Sequence, residues 1–157
     1  MDWGFRVAYR CAYQMLRLYW RLARPHTHGA LVTIWCEERV LLVQNSYLPC
    51  WSLPGGSVRA RESARQAAVR ELREEIGLAI NEEVLVPVLD VVHEWEGKFD
   101  HVEIFALALT SPPVVSVDNR EVVEARFFAP AEALQLPLFP PLRTAISQRA
   151  GLAAPLP

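Results

Sequence analysis

The chain has 157 residues, of which 52% are hydrophobic and 22% charged, and its formal net charge is −2. This length and apolar content predict one folded domain with a proper core and exclude a disordered chain. The net charge provides no positive field that would gather nucleic acid, so binding to duplex nucleic acid is not expected. Three cysteines without a paired or metal-ligand spacing indicate buried free thiols and a cytoplasmic protein.

The first predicted element is an N-terminal amphipathic helix within residues 1–24, from Trp3 to Arg24 before Pro25. On a helical wheel its five arginines fall within about 60°, and apolar side chains spread over most of the remaining circumference. Three interpretations remain open. The helix packs on its own domain with the arginines in solvent, it forms a homodimer, or, least favoured, it lies on a membrane surface. It is neither a signal peptide nor a membrane span.

The next segments alternate short apolar runs with turn residues, which predicts strands followed by one central helix. A hairpin is expected first, then a Gly-rich loop, and then a helix that begins at Glu62–Ser63 and ends at Gly77. The hairpin strands and the loop are Ala30–Trp35, Val40–Gln44 and Pro49–Gly56.

The second half of the chain predicts further strands and a closing helix. Val84–Val92 is apolar on both faces, as a central strand would be, although Pro87 implies a bulge or an edge segment. Strands mixed with helices predict an α+β domain over residues 29–150, followed by a tail at 151–157. The remaining elements are a loop at His93–Asp100, strands at Val102–Leu109 and Ala125–Ala129, and helices at Pro130–Leu134 and Leu142–Ala150.

The central helix carries a dense pattern of fixed positions, Gly56-x5-Glu62-x7-Arg70-Glu71-Leu72-x-Glu74-Glu75-x-Gly77-Leu78. Glu71, Glu74 and Glu75 fall within an arc of roughly 100° on one helix face. Like charges at this density call for a cation, and oxygen ligands suit a hard divalent ion such as Mg²⁺ or Mn²⁺. The alternative is an ordinary solvated helix face.

This pattern resembles the signature of the Nudix hydrolases at every fixed position, over a region of about Gly29 to Arg149. The resemblance implies the Nudix fold, a mixed β-sheet sandwiched between helices, with the N-terminal helix as an extra element. It also implies a hydrolase that cleaves phosphoanhydride bonds with the help of a divalent metal ion.

The resemblance assigns roles to individual residues. Glu71 and Glu75 resemble the principal metal ligands, and Glu74 either shares a metal ion or assists as a base. The carbonyl oxygen of Gly55 matches the main-chain ligand of the family. Arg70 resembles the arginine that orients the glutamates. Gly56, Glu62 and Gly77 match signature positions with structural roles.

Two further sets of residues are weaker candidates. Glu121 resembles an additional carboxylate that serves some family members as a metal ligand or general base, and Glu94, Glu96 and Asp100 compete with it for this role. Aromatic faces are expected to bind the base or ribose of a nucleotide. The aromatic candidates are Tyr47, Trp51, Trp95 and Phe99.

The favoured function is hydrolysis of a nucleoside diphosphate linked to another moiety, with a small-molecule nucleotide as substrate. A nucleoside triphosphate pyrophosphohydrolase is the first alternative. A non-catalytic nucleotide-binding module is the second, although such modules usually lack a signature glutamate and this chain has all three. The proline of ADP-ribose hydrolases is missing, because His93 and Glu94 stand near its expected position.

Overall fold

A mixed seven-stranded sheet forms the centre of the structure, a computed structural model that describes residues 3–149. The helices are α1 (Trp3–Ala23), α2 (Ala64–Ile76), α3 (Pro130–Ala133) and α4 (Pro140–Arg149). The strands are β1 (His26–Cys36), β2 (Arg39–Asn45), β3 (Trp51–Ser52), β4 (Gly55–Ser57), β5 (Val86–Trp95), β6 (Lys98–Leu109) and β7 (Val122–Phe128). The predicted tail at 151–157 lies outside the described residues.

Strand β1 organises the sheet because it pairs with three other strands. It runs parallel to β6 from His26 opposite Phe99 to Cys36 opposite Leu109, and it pairs antiparallel with β2 and β4. The main strand order is β3-β2-β1-β6-β5, with β7 paired to β2. The short strand β4 carries the Gly-rich loop, so its pairing to β1 fixes that loop against the sheet.

Buried side chains form one apolar cluster on each face of the sheet. On one face, Ala67, Leu72 and Ile76 of α2 pack against β1 and β6. On the other, Leu142 and Ile146 of α4 pack against β2, β6 and β7. The predicted α+β architecture, a mixed sheet between helices, is confirmed.

Both ends of α2 are fixed by residues that the sequence identifies. Ser63 is the N-cap, and it forms a capping box with Gln66. Gly77 closes the helix in the left-handed conformation with φ 71°, and its N–H donates to the carbonyl of Leu72. The predicted start and end of the central helix are therefore confirmed.

The predicted strand at Val84–Val92 is β5, and of its two possible places in the sheet the edge that Pro87 implies is correct and the central position is wrong, because among the described strands β5 pairs only with β6. The pairing register shifts between Pro87 and Leu89, as expected for a proline that cannot donate a ladder hydrogen bond. The predicted loop at His93–Asp100 is instead a tight hairpin. Its turn residues Glu96 and Gly97 have φ values of 52° and 87°, which suits a two-residue turn with both central residues left-handed.

Helix α1 contacts the domain through a mixed arginine and aromatic face. The interpretation that it packs on its own domain with the arginines in solvent is therefore correct only in part, because Arg6 and Arg17 are half-buried and the other three arginines are exposed. Arg6 Nε donates to the carbonyl of Asn119 (3.1 Å), and Arg10 Nε donates to that of Ser46 (2.8 Å). Half-buried residues at helical spacing form one face of α1, which we call the inner ridge. It consists of Arg6, Tyr9, Tyr13, Arg17 and Trp20.

The opposite face of α1 is apolar and exposed. The exposed fractions are 79% for Trp3, 73% for Met15 and 80% for Leu22. We call this face the outer ridge, and it comprises Trp3, Val7, Cys11, Met15, Leu18 and Leu22. Among the described helices, none is both long and apolar enough to cross a membrane.

The three cysteines are free in the structure. Cys36 and Cys50 are buried, as expected for structural thiols. Cys11 is exposed on the outer ridge, which corrects the expectation that all three are buried.

Candidate active site

The Gly-rich loop lies so close to α2 and β1 that a side chain at either of two positions would displace a neighbour. A Cβ atom on Gly56 would lie 2.6 Å from the carboxylate oxygen Oε1 of Glu71. Gly55 has φ 137°, and a Cβ there would lie 2.2 Å from the carbonyl oxygen of Ala30. These contacts explain on steric grounds why glycine occupies both positions, and they place the loop backbone against the signature carboxylates.

Arg70 connects the loop to the first part of α2. Its guanidinium donates to Glu62 (2.7 Å), to Glu71 (2.5 Å) and to the carbonyl of Ser57 (3.0 Å). The bond from Arg70 lowers the pKa of Glu62 to about 2, and the N–H of Arg59 acts in the same direction. Arg70 therefore holds the Glu71 carboxylate in place, as the resemblance implies.

Glu75 is the most buried carboxylate of the cluster, with 4% of its surface exposed. Its Oε2 accepts a hydrogen bond from the N–H of Gly55 (2.9 Å). Burial raises the pKa of Glu75 well above its ordinary value, and the charges of Glu121, Glu71 and Asp118 raise it further. Several negative groups therefore face one another around this side chain.

Glu121 reaches this cluster from the segment before β7. The Tyr47 hydroxyl donates to its carboxylate (2.6 Å), and the Asp118 side chain accepts from the N–H groups of Glu121 and Val122 (3.1 and 2.9 Å). Burial raises the pKa of Glu121, and the charge of Glu71 adds to the shift. Glu121 therefore lies within electrostatic reach of the signature glutamates.

The competing carboxylates are engaged elsewhere. Glu94 pairs with Arg24 (2.7 Å) on the surface, and Glu96 accepts from Tyr13 and pairs with Arg17. Asp100 pairs with Lys98. Among the four candidates for the additional carboxylate, the structure brings only Glu121 to the signature.

The residues of this cluster fit a hard divalent ion. Glu75 is a buried carboxylate with mostly negative neighbours, and Glu71 lies against a loop that only glycine can form. Glu74 lies at the rim, with 46% of its side chain exposed, and pairs with Arg59 (3.5 Å). The donors are all oxygen atoms, which favours Mg²⁺ or Mn²⁺ over softer metals.

A second group of potential ligands lies apart from the signature. His28, His101 and Glu103 have ligand atoms within 4.8 Å of one another, and the two imidazole rings stack at 4.3 Å. Glu103 already bonds His28 (2.9 Å), and Asp90 bonds His101 (2.6 Å). These carboxylates already satisfy the imidazoles, so the signature glutamates fit a metal ion better than this group does.

A cavity of about 220 Å³ opens beside β4, on the sheet face that packs against α4. Tyr47 and Trp95 line it, as expected for residues that bind a base or ribose. Trp51 and Phe99 do not. Trp51 packs edge-on against Phe128, and Phe99 stacks on His26.

Several cavity residues have no counterpart in the sequence-based expectations. Tyr13 and Trp20 come from α1, which the sequence places outside the catalytic domain. Thr27, Lys98 and Asp100 form the polar end of the cavity. The signal available in the sequence was that aromatic residues and arginines recur at helical spacing along α1. Residues at this spacing share one helix face, the inner ridge.

Comparisons with known proteins agree with this geometry. The NUDIX domain family matches residues 25–148. A putative 8-oxo-dGTP diphosphatase of Bacillus subtilis is 49% identical over 53 residues, which cover 33% of this chain and 36% of that protein. A CTP pyrophosphohydrolase of Escherichia coli is 33% identical over 110 residues, or 66% of this chain and 76% of that protein. The crystal structure of a MutT NUDIX hydrolase from Burkholderia pseudomallei superposes with a TM-score of 0.69 at 26% identity, covering 78% of this chain and 97% of that one.

Proposed function

The chain belongs to the Nudix family of hydrolases, and on that premise we propose that it converts a nucleoside triphosphate to a nucleoside monophosphate and pyrophosphate. The family assignment makes it an enzyme that acts on phosphorus-containing anhydrides. The finer choice of a triphosphate differs from the substrate that the sequence favours, a nucleoside diphosphate linked to another moiety.

The cavity and the names of two relatives together support this choice. At about 220 Å³ it is smaller than the roughly 300–1,000 Å³ typical of sites for larger ligands, so it has room for one base. Gly56 and Ser57 line its edge, so phosphates extending from a bound base would reach the carboxylate cluster. The names of the two relatives, a diphosphatase of 8-oxo-dGTP and a pyrophosphohydrolase of CTP, support a triphosphate.

The carboxylate cluster supplies the metal site in this proposal. Glu71, Glu74, Glu75 and the Gly55 carbonyl would hold Mg²⁺ or Mn²⁺, which when bound neutralises phosphate charge and lowers the pKa of water. Arg70 keeps the Glu71 carboxylate fixed for this task. The protein therefore contributes a rigid set of oxygen donors that needs little rearrangement during the reaction.

Glu121 is our candidate for the general base. Its carboxylate is half-buried, fixed by the Tyr47 hydroxyl, and has a raised pKa, so it can accept a proton from the attacking water. The water oxygen bonds to the α-phosphorus while the bridging bond from that phosphorus to the β-phosphate oxygen breaks. The proton goes to Glu121, and pyrophosphate leaves with the bonding electrons.

A substrate panel with product separation tests the proposal. Nucleoside triphosphates, nucleotide sugars and dinucleoside polyphosphates are each incubated with enzyme and Mg²⁺, and the products are resolved by anion-exchange chromatography. We expect triphosphates to give monophosphate and pyrophosphate with the highest kcat/KM. A higher kcat/KM for a nucleotide sugar would favour a diphosphate-linked substrate over a triphosphate. Release of inorganic phosphate alone would contradict attack at the α-phosphorus.

We also propose that the outer ridge of α1 pairs with a second copy of the chain. Several arginines of this helix are held by the domain, since Arg6, Arg10 and Arg17 contact Asn119, Ser46 and Glu96. The residues of the outer ridge are uncharged, and the exposed Arg10 and Arg21 flank it along one edge only. An uncharged apolar ridge of this length is complementary to its own copy, and a two-fold axis would bury both ridges at once.

Substituting Leu18→Glu is therefore expected to convert a dimer into a monomer, because it places a charge in the middle of the paired ridges. Multi-angle light scattering at tens of micromolar, without detergent, measures the mass. Leu16→Glu is the matched control, since Leu16 is exposed on the same helix but lies well away from the outer ridge on the helical wheel. A monomeric unmodified chain would rule out the dimer, and co-sedimentation of the chain with anionic vesicles would favour the membrane surface.

A further inference from the structure

Helix α1 contributes one wall of the candidate substrate cavity. Tyr13 and Trp20 both line it, with their rings 5.9 Å apart and nearly perpendicular. Tyr13 also contacts Tyr47 at a ring distance of 4.9 Å, and Tyr9 stacks on the same Tyr47 at 6.1 Å. The helix that lies outside the matched family region thus adds aromatic surface to the cavity.

Two contacts to the β5–β6 turn hold this wall in position. The Tyr13 hydroxyl donates to Glu96, and Arg17 Nε lies 2.9 Å from the same carboxylate. Gly97, the next residue, lies so close to Arg21 that a Cβ there would be 3.0 Å from the Arg21 Cα. The turn and the helix therefore form one packed unit, which fixes the rings of Tyr13 and Trp20 relative to the sheet.

A buried charged pair forms the polar end of the same cavity. Asp100, which is 7% exposed, accepts from the Thr27 hydroxyl (2.6 Å) and from Lys98 Nζ (2.7 Å). Lys98 Nζ lies 4.8 Å from the centre of the Trp20 ring. A carboxylate accepts about four hydrogen bonds and an ammonium donates three, so the pair retains both donor and acceptor capacity toward the cavity.

We propose that Tyr13 and Trp20 contact the base of the substrate and that Lys98 and Asp100 bind its polar edge. The inference rests on the proposed nucleotide substrate, and it assigns these residues to substrate specificity. The chemistry is that of a planar heterocycle with a donor and an acceptor on one edge. Aromatic rings contact its faces, while the ammonium donates to a ring or carbonyl acceptor and the carboxylate accepts from an N–H group.

A sugar or a bare polyphosphate fits this cavity less well than a base. Its walls are mostly apolar and aromatic, which favours a flat, weakly hydrated group over a hydroxyl-rich or highly charged one. The single cation, Lys98, is already paired with Asp100, so it offers little net charge to a phosphate. The base therefore goes into the cavity, and the phosphates extend toward Gly56.

Isothermal titration of the full-length protein with the four ribonucleoside monophosphates, in EDTA, tests the base site without hydrolysis. We expect at least one of them to bind, and Trp20→Ala to weaken that binding at least about fivefold, as for the loss of one aromatic stack on a base. Trp20→Phe should retain most of the affinity. Tyr19→Ala is the matched control, because Tyr19 is an exposed aromatic residue of the same helix that belongs to neither ridge and does not line the cavity, so it should not change the affinity.

Kinetic measurements on the same variants distinguish direct contact with the base from a purely structural role. With Mg²⁺ and the best triphosphate, Trp20→Ala should raise KM and leave kcat nearly unchanged, and Tyr13→Phe should keep the ring contact while losing the bond to Glu96. Unchanged monophosphate affinity in Trp20→Ala, or no binding of any monophosphate to the unmodified protein, would overturn the base site. Base binding without any triphosphate hydrolysis would overturn the proposed function alone.

Discussion

Replacing Glu75 with glutamine is expected to lower kcat by roughly 100-fold or more and, in chelator, to raise the melting temperature. Both effects come from the same negative charge. Glutamine keeps the shape and still accepts the hydrogen bond from the Gly55 N–H, but it cannot neutralise a divalent ion. It also removes repulsion with Glu121, Glu71 and Asp118, which raises the free energy of unfolding when no metal is bound.

The comparison needs variants that differ in one respect at a time. Glu71→Gln should lower kcat to a similar extent, and Glu83→Gln, on the exposed turn after α2, should change neither kcat nor melting temperature. Glu121→Gln should lower kcat while Glu96→Gln leaves it nearly unchanged, because only Glu121 lies by the signature. A fully active Glu75→Gln would contradict the metal assignment, and a damaging Glu96→Gln with a silent Glu121→Gln would exchange their roles.

Chelation is expected to abolish hydrolysis completely, and added Mg²⁺ or Mn²⁺ should restore it and raise the melting temperature by mass action. The pH dependence of stability should change as well. Burial raises the pKa values of Glu75 and Glu121 above the ordinary 4.5, so between 4.5 and the raised values the folded state binds more protons than the unfolded state.

The free energy of unfolding in EDTA should therefore be highest near the unfolded pKa and fall as pH rises through the folded values. The opposite shift of Glu62, whose pKa is lowered to about 2, contributes stability above pH 4.5 that is lost only as pH falls. Urea denaturation at a series of pH values measures the slope, and Glu75→Gln should flatten it. A stability that rises steadily from pH 5 to 8 in EDTA would contradict this account, and so would turnover that survives chelation.

The parts of the fold that sequence predicts well are those determined by neighbouring residues. Ser63 and Gly77 bound α2 through caps that use their own segment, and the glutamates share a face because helix geometry is regular. The sequence also predicts the role of Gly55 and Gly56, because close approach of the loop backbone requires glycine. The caps and the shared helix face have physical causes within a few residues along the chain, whereas the two glycines contact Ala30 and Glu71 and are predicted from the motif instead.

The parts that sequence does not predict depend on distant surfaces. Helix α1 has its orientation on the domain because Asn119, Ser46 and Glu96 offer acceptors to three of its arginines, and these positions lie far along the chain. A helical wheel shows two distinct faces but not which one is covered. The β5–β6 turn escaped prediction for a related reason, since Glu96-Gly97 is a weaker turn signal than Asn-Gly or Asp-Gly.

If both proposals for α1 hold, its two ridges would give one rigid helix two simultaneous tasks. A partner bound along the outer ridge would hold the same helix whose inner ridge walls the cavity. If a filled cavity tightens the binding of that partner, thermodynamic reciprocity requires the bound partner to tighten the binding of the cavity's ligand by the same factor. The apparent KM would then vary with protein concentration. The helix α1 itself, rather than a hinge, would couple the two surfaces, which share no residue.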